Sequence, residues 1–299
     1  VIYFIEQIAS PLLIIAKKEE NMKRKITILL IMTFIILIFK NYEIVLKSTL
    51  DATTIWLNKV FPYLFIMIII QDLLINLNFS SFFKNTAIYI FIMSLLSGTP
   101  SGTYIISKLK EQNIITKEYA NTCLIFTFFA NPLFLYSILN SIFLSKLTTI
   151  RLMLILYLTN LILYFIYKKD LPSNGKSINT NEINLSSSIK TSINTTITVL
   201  GVITFYLILS NIIITEFNII YPFNIFFKGF LEMTQGLASL INSSIKFKEV
   251  IAMIFISFGG FSIHTQVSCI LNEANLSYKY FFKGRIIQTA LVVFLTIIT

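Results

Sequence analysis

Two short polar stretches hold most of the residues that could bind a solute: SGTPSG at 97–102 and SFGGFSIHTQ at 257–266. The first offers Gly98, Thr99, Pro100, Ser101 and Gly102; the second offers Gly259, Gly260, Ser262, His264 and Gln266. Each follows an apolar run, 86–97 and 249–258, that is too short to cross roughly 30 Å of hydrocarbon at about 1.5 Å per residue. Unpaired backbone groups in hydrocarbon cost several kcal/mol each, so irregular backbone at membrane depth is tolerated only inside protein or beside a wet cavity. Proline removes a donor and glycine admits close approach. A half-helix starting near Thr103 would then aim free N–H groups and a positive dipole end at the cavity, which is anion-binding chemistry. The bland alternative is a surface turn between two helices.

Other candidates lie outside these stretches. FFANPLF places Asn131-Pro132 after an amphipathic helix capped by Thr116, with Glu118 in its first turn. A packing kink at Pro132 and an amide contact from Asn131 both fit this pattern. Two acids sit in apolar sequence, Asp72 in IIIQDLLI and Glu232 in FLEMTQGLASL. Ionisable groups there are functional candidates for coupling or gating, with a helix end at the interface as the alternative. Thr234, Gln235 and Gly236 make the Glu232 segment a further re-entrant element. His264, the sole histidine, suits either a structural hydrogen bond or a ligand contact. Lys108, Lys110 and Lys117 read as a solvated loop.

The elements that must position these residues are membrane helices. The 299 residues are 56% hydrophobic, with 28 Phe and a mean hydropathy of +0.79. Charged residues are 13%, against about 25% in soluble domains. Candidate spans fall at about 26–39, 55–78, 86–97, 118–144, 148–167, 191–214, 249–258 and 286–299. One His, no phosphate-binding loop, no HExxH and no metal-ligand spacing argue against an enzyme, a metal site or a cofactor. Cys123 and Cys269 stand alone and carry no redox signal. The net charge of +10 comes from scattered Lys and Arg, which suit span flanks and anionic head groups rather than nucleic acid.

Residues 1–21 form an N-terminal extension with no assigned role, because Met22-Lys23-Arg24-Lys25 before an apolar run reads as a natural start and an uncleaved first helix. A first membrane helix and connector fill 22–50, and a polar linker at 168–190 divides a first repeat, 51–167, from a second, 191–299. Sliding the two Gly-rich segments at a constant offset of 161 residues (98 to 259) pairs Gly98 with Gly259, Ser101 with Ser262, Ser107 with Ser268 and Tyr119 with Tyr280. The expectation is an all-α polytopic membrane protein of two repeated, inverted halves, each with a discontinuous or re-entrant helix.

SGTPSG, ITKEYA, FANPLF, LEMTQG, SFGGFSIHTQV and FFKGRI follow one another in this order and resemble the YlbJ-type sporulation integral membrane proteins (stage V sporulation protein V). These fall within the wider group carrying the nucleoside-recognition Gate domain. The resemblance spans about 26–299. It implies a transporter that moves dipicolinic acid from the mother cell across the outer forespore membrane by alternating access. It marks Gly98, Pro100, Gly102, Asn131, Pro132, Glu232, Gly236, Gly259, Gly260, Ser262, His264 and Gln266 as motif positions. Thr99-Pro100 stands where the family pattern has Asn-Pro, and Gln71-Asp72 where it has Ser-Glu. Dipicolinate is a planar aromatic dianion. Helix N-termini, hydroxyls, Gln266 and a protonated His264 would take its carboxylates, while Phe or Tyr would stack on its ring. Glu232 would couple a proton or hold an opposing donor. The implied partners are this anion, the bilayer, other sporulation membrane proteins and a second copy of the chain. Transport of nucleosides or another small solute, and a non-transporting scaffold, stay open as alternatives.

Overall fold

The computed structural model describes residues 22–172 and 184–299, and among them every regular element is helical. The N-terminal extension 1–21 and the middle of the polar linker lie outside the described residues. Contacts divide the chain into two units at Lys47/Ser48. In the first, residues 22–40 are helical (α1). Helix α2, Tyr42–Ile55, leads through a π-helical turn at Trp56–Val60 into α3, Phe61–Asn76. Pro62 explains that turn: it lacks an N–H and its ring crowds the carbonyl four residues back, so the ladder slips and Phe61 N–H reaches Trp56 O instead.

The unit from Ser48 onward continues with α4 (Thr86–Ser97), α5 (Ser101–Glu111), α6 (Lys117–Cys123), α7 (Pro132–Phe143) and α8 (Lys146–Tyr167). After the linker come α9 (Leu185–Glu216), α10 (Phe223–Leu231), α11 (Met233–Leu240), α12 (Lys248–Phe258), α13 (Gly260–Glu273) and α14 (Tyr278–Ile298). Among the described residues, five helical runs are long and apolar enough to cross a bilayer: Tyr42–Asn76, Lys146–Asp170, Leu185–Glu216, Lys248–Glu273 and Tyr278–Ile298. Large apolar side chains such as Leu147, Leu154, Ile197 and Phe294 are exposed, while Ser94, Ser192, Thr159 and Gln288 are buried. That inside-out distribution suits a hydrocarbon surround, and the chain is a polytopic α-helical membrane protein.

Both Gly-rich stretches break helices, but in different ways. α4 and α5 fold back on each other: a Cβ on Gly102 would lie 2.7 Å from Ser94 Oγ, eight positions earlier in the chain. α10 and α11 also fold back, with Gly236 against Gly229 and the Phe255 ring beside both. By contrast α12 runs onward into α13 through Gly259, and α6 continues toward α7 through the irregular stretch 124–131. Gly259 takes φ +93 at the turn, a value that favours glycine.

The order is therefore long helix, hairpin, broken helix, long helix, and it occurs twice, as α3–α8 and α9–α14. In each half the hairpin tip seats on the break of the helix that follows. Thr99 N–H donates to Phe129 O at 2.7 Å, and Gly98 lies against Asn131 N. In the second half Gly260 lies against Met233 N and Gly229 O. This order corrects the register read from sequence. Gly98, at a hairpin tip, corresponds to the Glu232 tip, and Asn131 corresponds to Gly259, so the offset of 161 joins unlike elements.

Other boundaries shift too. The apolar run 118–144 is not one span but α6, an irregular stretch and α7; Pro132 starts a helix rather than kinking one. α9 begins at Leu185, inside the stretch read as linker. Lys108 and Lys110 occupy the last turn of α5 and Lys117 opens α6, so they are helical rather than a loop. Thr116 caps α6 as expected, accepting from Tyr119 N–H at 3.2 Å.

The hairpins open toward opposite ends of this unit. The base of α4–α5 packs with the end of α8 and the start of α14 in one buried cluster that includes Leu109, Ile114, Leu163 and Phe281. The base of α10–α11 packs with the starts of α8 and α12 in another, around Leu152, Leu240 and Ile251. The first is called the linker end below.

Candidate functional site

The two hairpin tips and two broken helices surround a cleft of about 720 Å³, its mouth included. One wall is Thr99 and Pro100 from the first tip, and another is Glu232, Met233 and Thr234 from the second. Phe128, Phe129 and Asn131 come from the stretch between α6 and α7, and Gln266 comes from α13. The π turn and α3 complete it with Lys59, Tyr63 and Leu64.

Four helices begin at this level: α5, α7, α11 and α13. Two N-termini are capped internally. Asn131 Oδ1 accepts from Leu133 N–H at 3.0 Å and Phe134 N–H at 3.2 Å. Glu232, 2% exposed, accepts from Gln235 N–H at 2.8 Å and from the Thr234 hydroxyl. The α5 and α13 N-termini have no side-chain cap; in α5 the Gly102 and Thr103 N–H groups turn back instead to Gly98 O at 3.1 Å and Pro100 O at 3.0 Å.

Six of the residues marked from sequence meet at the cleft: Thr99, Pro100, Asn131, Glu232, Thr234 and Gln266. The others do not line it. Gly98, Gly102, Gly236, Gly259 and Gly260 serve close packing, and Pro132 is the first residue of α7. The Ser101 hydroxyl donates to Gln71 Oε1 at 2.5 Å, and Ser262 Oγ accepts from Gln266 Nε2 at 3.2 Å, which fixes the Gln266 side chain. Asp72 accepts from Tyr104 Oη at 2.7 Å and Ser188 Oγ at 2.5 Å, tying α3, α5 and α9 together.

His264 is placed as a structural residue rather than a ligand donor. Its Nε2 lies 3.0 Å from Phe258 O and its Nδ1 2.6 Å from Tyr278 Oη, with the Phe258 ring centroid 4.5 Å away. A carbonyl only accepts, so Nε2 carries the proton and Nδ1 is free to accept from the tyrosine, which satisfies a neutral ring without added charge.

Two charged side chains at or beside the cleft escaped the sequence reading. Lys59 reaches the cleft, and among the described residues it has no acidic partner. Its signal was a lone cation three positions before a proline in an apolar run. Arg285, fully buried on α14, donates to Ser257 O and Ile125 O, each at 3.3 Å, and to Gln288 Oε1. Its guanidinium carbon lies 4.0 Å from the centroid of Phe128, which lines the cleft. KGR after two phenylalanines looks like a basic flank at a membrane surface, which hid this one.

Comparison with known proteins adds one relative. The chain is similar to Sporulation integral membrane protein YlbJ of Bacillus subtilis (strain 168), at 23% identity over 328 residues of alignment, taking in 88% of this chain and 80% of that protein. No family model matches the chain. No solved structure matches it either.

Proposed function

We propose that the protein carries a small organic anion across a membrane, with the solute held between the two hairpin tips. The carrying observation is the cleft itself, bounded by four helix breaks and lined in part by Lys59; in this reading it lies at membrane depth. Irregular backbone at that depth is costly unless it lines a solvated or ligand-filled space. Phe128, Phe129, Tyr63 and Phe134 suit a flat aromatic ring, while Lys59 and the positive dipole end of α5 suit carboxylates. Dipicolinate fits this chemistry. The name of the relative supports a place in endospore formation; the outer forespore membrane as the site of action belongs to this proposal.

Uptake of labelled dipicolinate and labelled nucleosides into vesicles carrying the protein tests the reading. Dipicolinate should accumulate, and nucleosides should neither enter nor compete. Entry of nucleosides alone would move the substrate class to neutral solutes, and entry of neither would favour a scaffold. A charge-assisted hydrogen bond contributes about 1.5–3 kcal/mol, so Lys59→Gln should raise the half-saturation concentration about tenfold or more. An unchanged value removes Lys59 from the site.

Glu232 faces the same space, and a fixed carboxylate there would repel a dianion. Its role in this reading is to take up a proton as the anion binds. Glu232→Gln keeps an acceptor for α11, so uptake should persist while its pH dependence flattens. Uptake that keeps the wild-type pH profile in this variant excludes Glu232 as the coupling group.

A further inference from the structure

A second cavity, about 800 Å³ with its opening, lies between α5, α9 and α13 and shares Val199 and Gln266 with the central cleft. Its lining is polar and strictly helical in period. α5 contributes positions 104, 107, 108 and 111; α9 contributes 191, 194, 195 and 198; α13 contributes 266, 269, 270 and 273. Each set follows i, i+3, i+4, i+7, which is one stripe on one face of a helix. Three such stripes facing one another make a tube about 10 Å long, since seven residues rise about 1.5 Å each. At its inner end stand Val199 and Gln266, and at its outer end Lys108, Glu111 and Glu273.

Two observations point to water and solute in this tube rather than packing. Hydroxyl and amide side chains fill the α9 stripe within a 32-residue span, yet the Thr195 and Thr198 hydroxyls bond only within α9, whereas Ser188 and Ser192 make its bonds to α3. Ser107 Oγ is buried, lines the tube and has no hydrogen-bond partner in the protein. A buried hydroxyl left unpaired costs about 1–3 kcal/mol unless solvent or ligand meets it.

We infer that the tube is the route between the central cleft and the linker end, with Gln266 and Val199 as its inner gate; this rests on the transport reading above. In the unit from Ser48 onward, with Lys59 and Lys228 set nearer the cleft, the linker end carries Lys84, Lys108, Lys110, Lys117, Lys168, Lys169, Lys190, Lys279 and Lys283, whereas the opposite end has Lys146, Arg151, Lys246 and Lys248. The excess of lysine makes the linker end cytoplasmic by the positive-inside rule. The mouth sets one lysine, 3.1 Å from Glu111, against two carboxylates. It therefore sorts by size and hydration, and the binding charge sits deeper, at Lys59.

The native thiols test this. Cys269 lines the tube and is partly exposed, whereas Cys123 is fully buried. In oriented vesicles holding the full chain, an anionic, membrane-impermeant methanethiosulfonate should modify Cys269 only from the cytoplasmic side. Dipicolinate uptake should then fall at least tenfold and return when a thiol reductant removes the adduct. In Cys269→Ala, whatever its own rate, the reagent should have no further effect. The route is wrong if Cys269 is unreactive, if it reacts only from the other side, or if its modification leaves uptake intact. Should the untreated protein move no solute, the transport reading fails, and side-specific labelling of Cys269 still decides whether the tube opens where we place it.

Discussion

Gly98→Ala is expected to abolish uptake and to lower the thermal unfolding midpoint in detergent, although it adds one methyl group. Gly98 takes φ +77 and ψ −179, in a region that is essentially glycine-only and costs other residues about 1–3 kcal/mol. The added Cβ would also lie 2.6 Å from Asn131 N. That neighbour is backbone at the start of α7, held by its own cap, so it cannot swing aside. Overpacking of this kind adds about 1–3 kcal/mol, and the strain falls where the first tip meets the cleft. The tip would back away from Phe129, losing the Thr99 bond that seats it. Gly201→Ala is the control. Gly201 lies inside α9 with nothing within 4 Å of its would-be Cβ, so alanine should be neutral or stabilise by up to about 1 kcal/mol. Uptake by Gly98→Ala equal to that of Gly201→Ala would show that the tip needs no such close approach.

The contrast between these two glycines also marks what the sequence could reveal. Composition and hydropathy sufficed for a helical membrane protein, because each long apolar run has only one low-energy form in a bilayer. Gly98 and Gly259 marked genuine breaks, because glycine and proline change the backbone wherever they stand. Whether a chain folds back at a break or runs on is decided by distant contacts, Ser94 against Gly102 or Gly229 against Gly236, and no local pattern encodes that choice. The offset of 161 residues therefore pairs a hairpin tip with a helix break, two unlike elements. The site was half legible: Thr99, Asn131, Glu232 and Gln266 stood beside visible breaks. Lys59 did not, because a π turn a whole helix ahead of the first hairpin sets it on the cleft lining. The polar stripes on α5, α9 and α13 were present in the sequence throughout. Averaging hydropathy along a span conceals a stripe that occupies one face in three.

Arg285→Met is expected to reduce uptake by about 100-fold or more, with the protein still inserted in the membrane. The side chain is a clamp between the two broken helices. Ser257 O, in the last turn of α12, and Ile125 O, in the irregular stretch after α6, lack helical partners because the ladder stops beside them. One guanidinium serves both, each at 3.3 Å, while Phe128 and Phe281 offer it ring faces at 4.0 and 5.4 Å. Among the described residues the charge has no carboxylate partner; it rests on the carbonyl end of α12 and on those rings. Methionine fills much of the stem's volume but leaves two buried carbonyls unpaired, at about 1–3 kcal/mol each, partly offset by removal of a desolvated charge. Net stability should therefore change less than uptake, because what is lost is the alignment of Phe128 at the cleft wall. Arg285→Lys separates charge from geometry: an ammonium keeps the cation but cannot bridge both carbonyls as a planar fork does. Uptake should be reduced in Lys as well as Met, with the half-saturation concentration rising in both. If Lys restores wild-type uptake, the charge alone matters and the clamp does not; if Met transports normally, Arg285 has no part in holding the two breaks together.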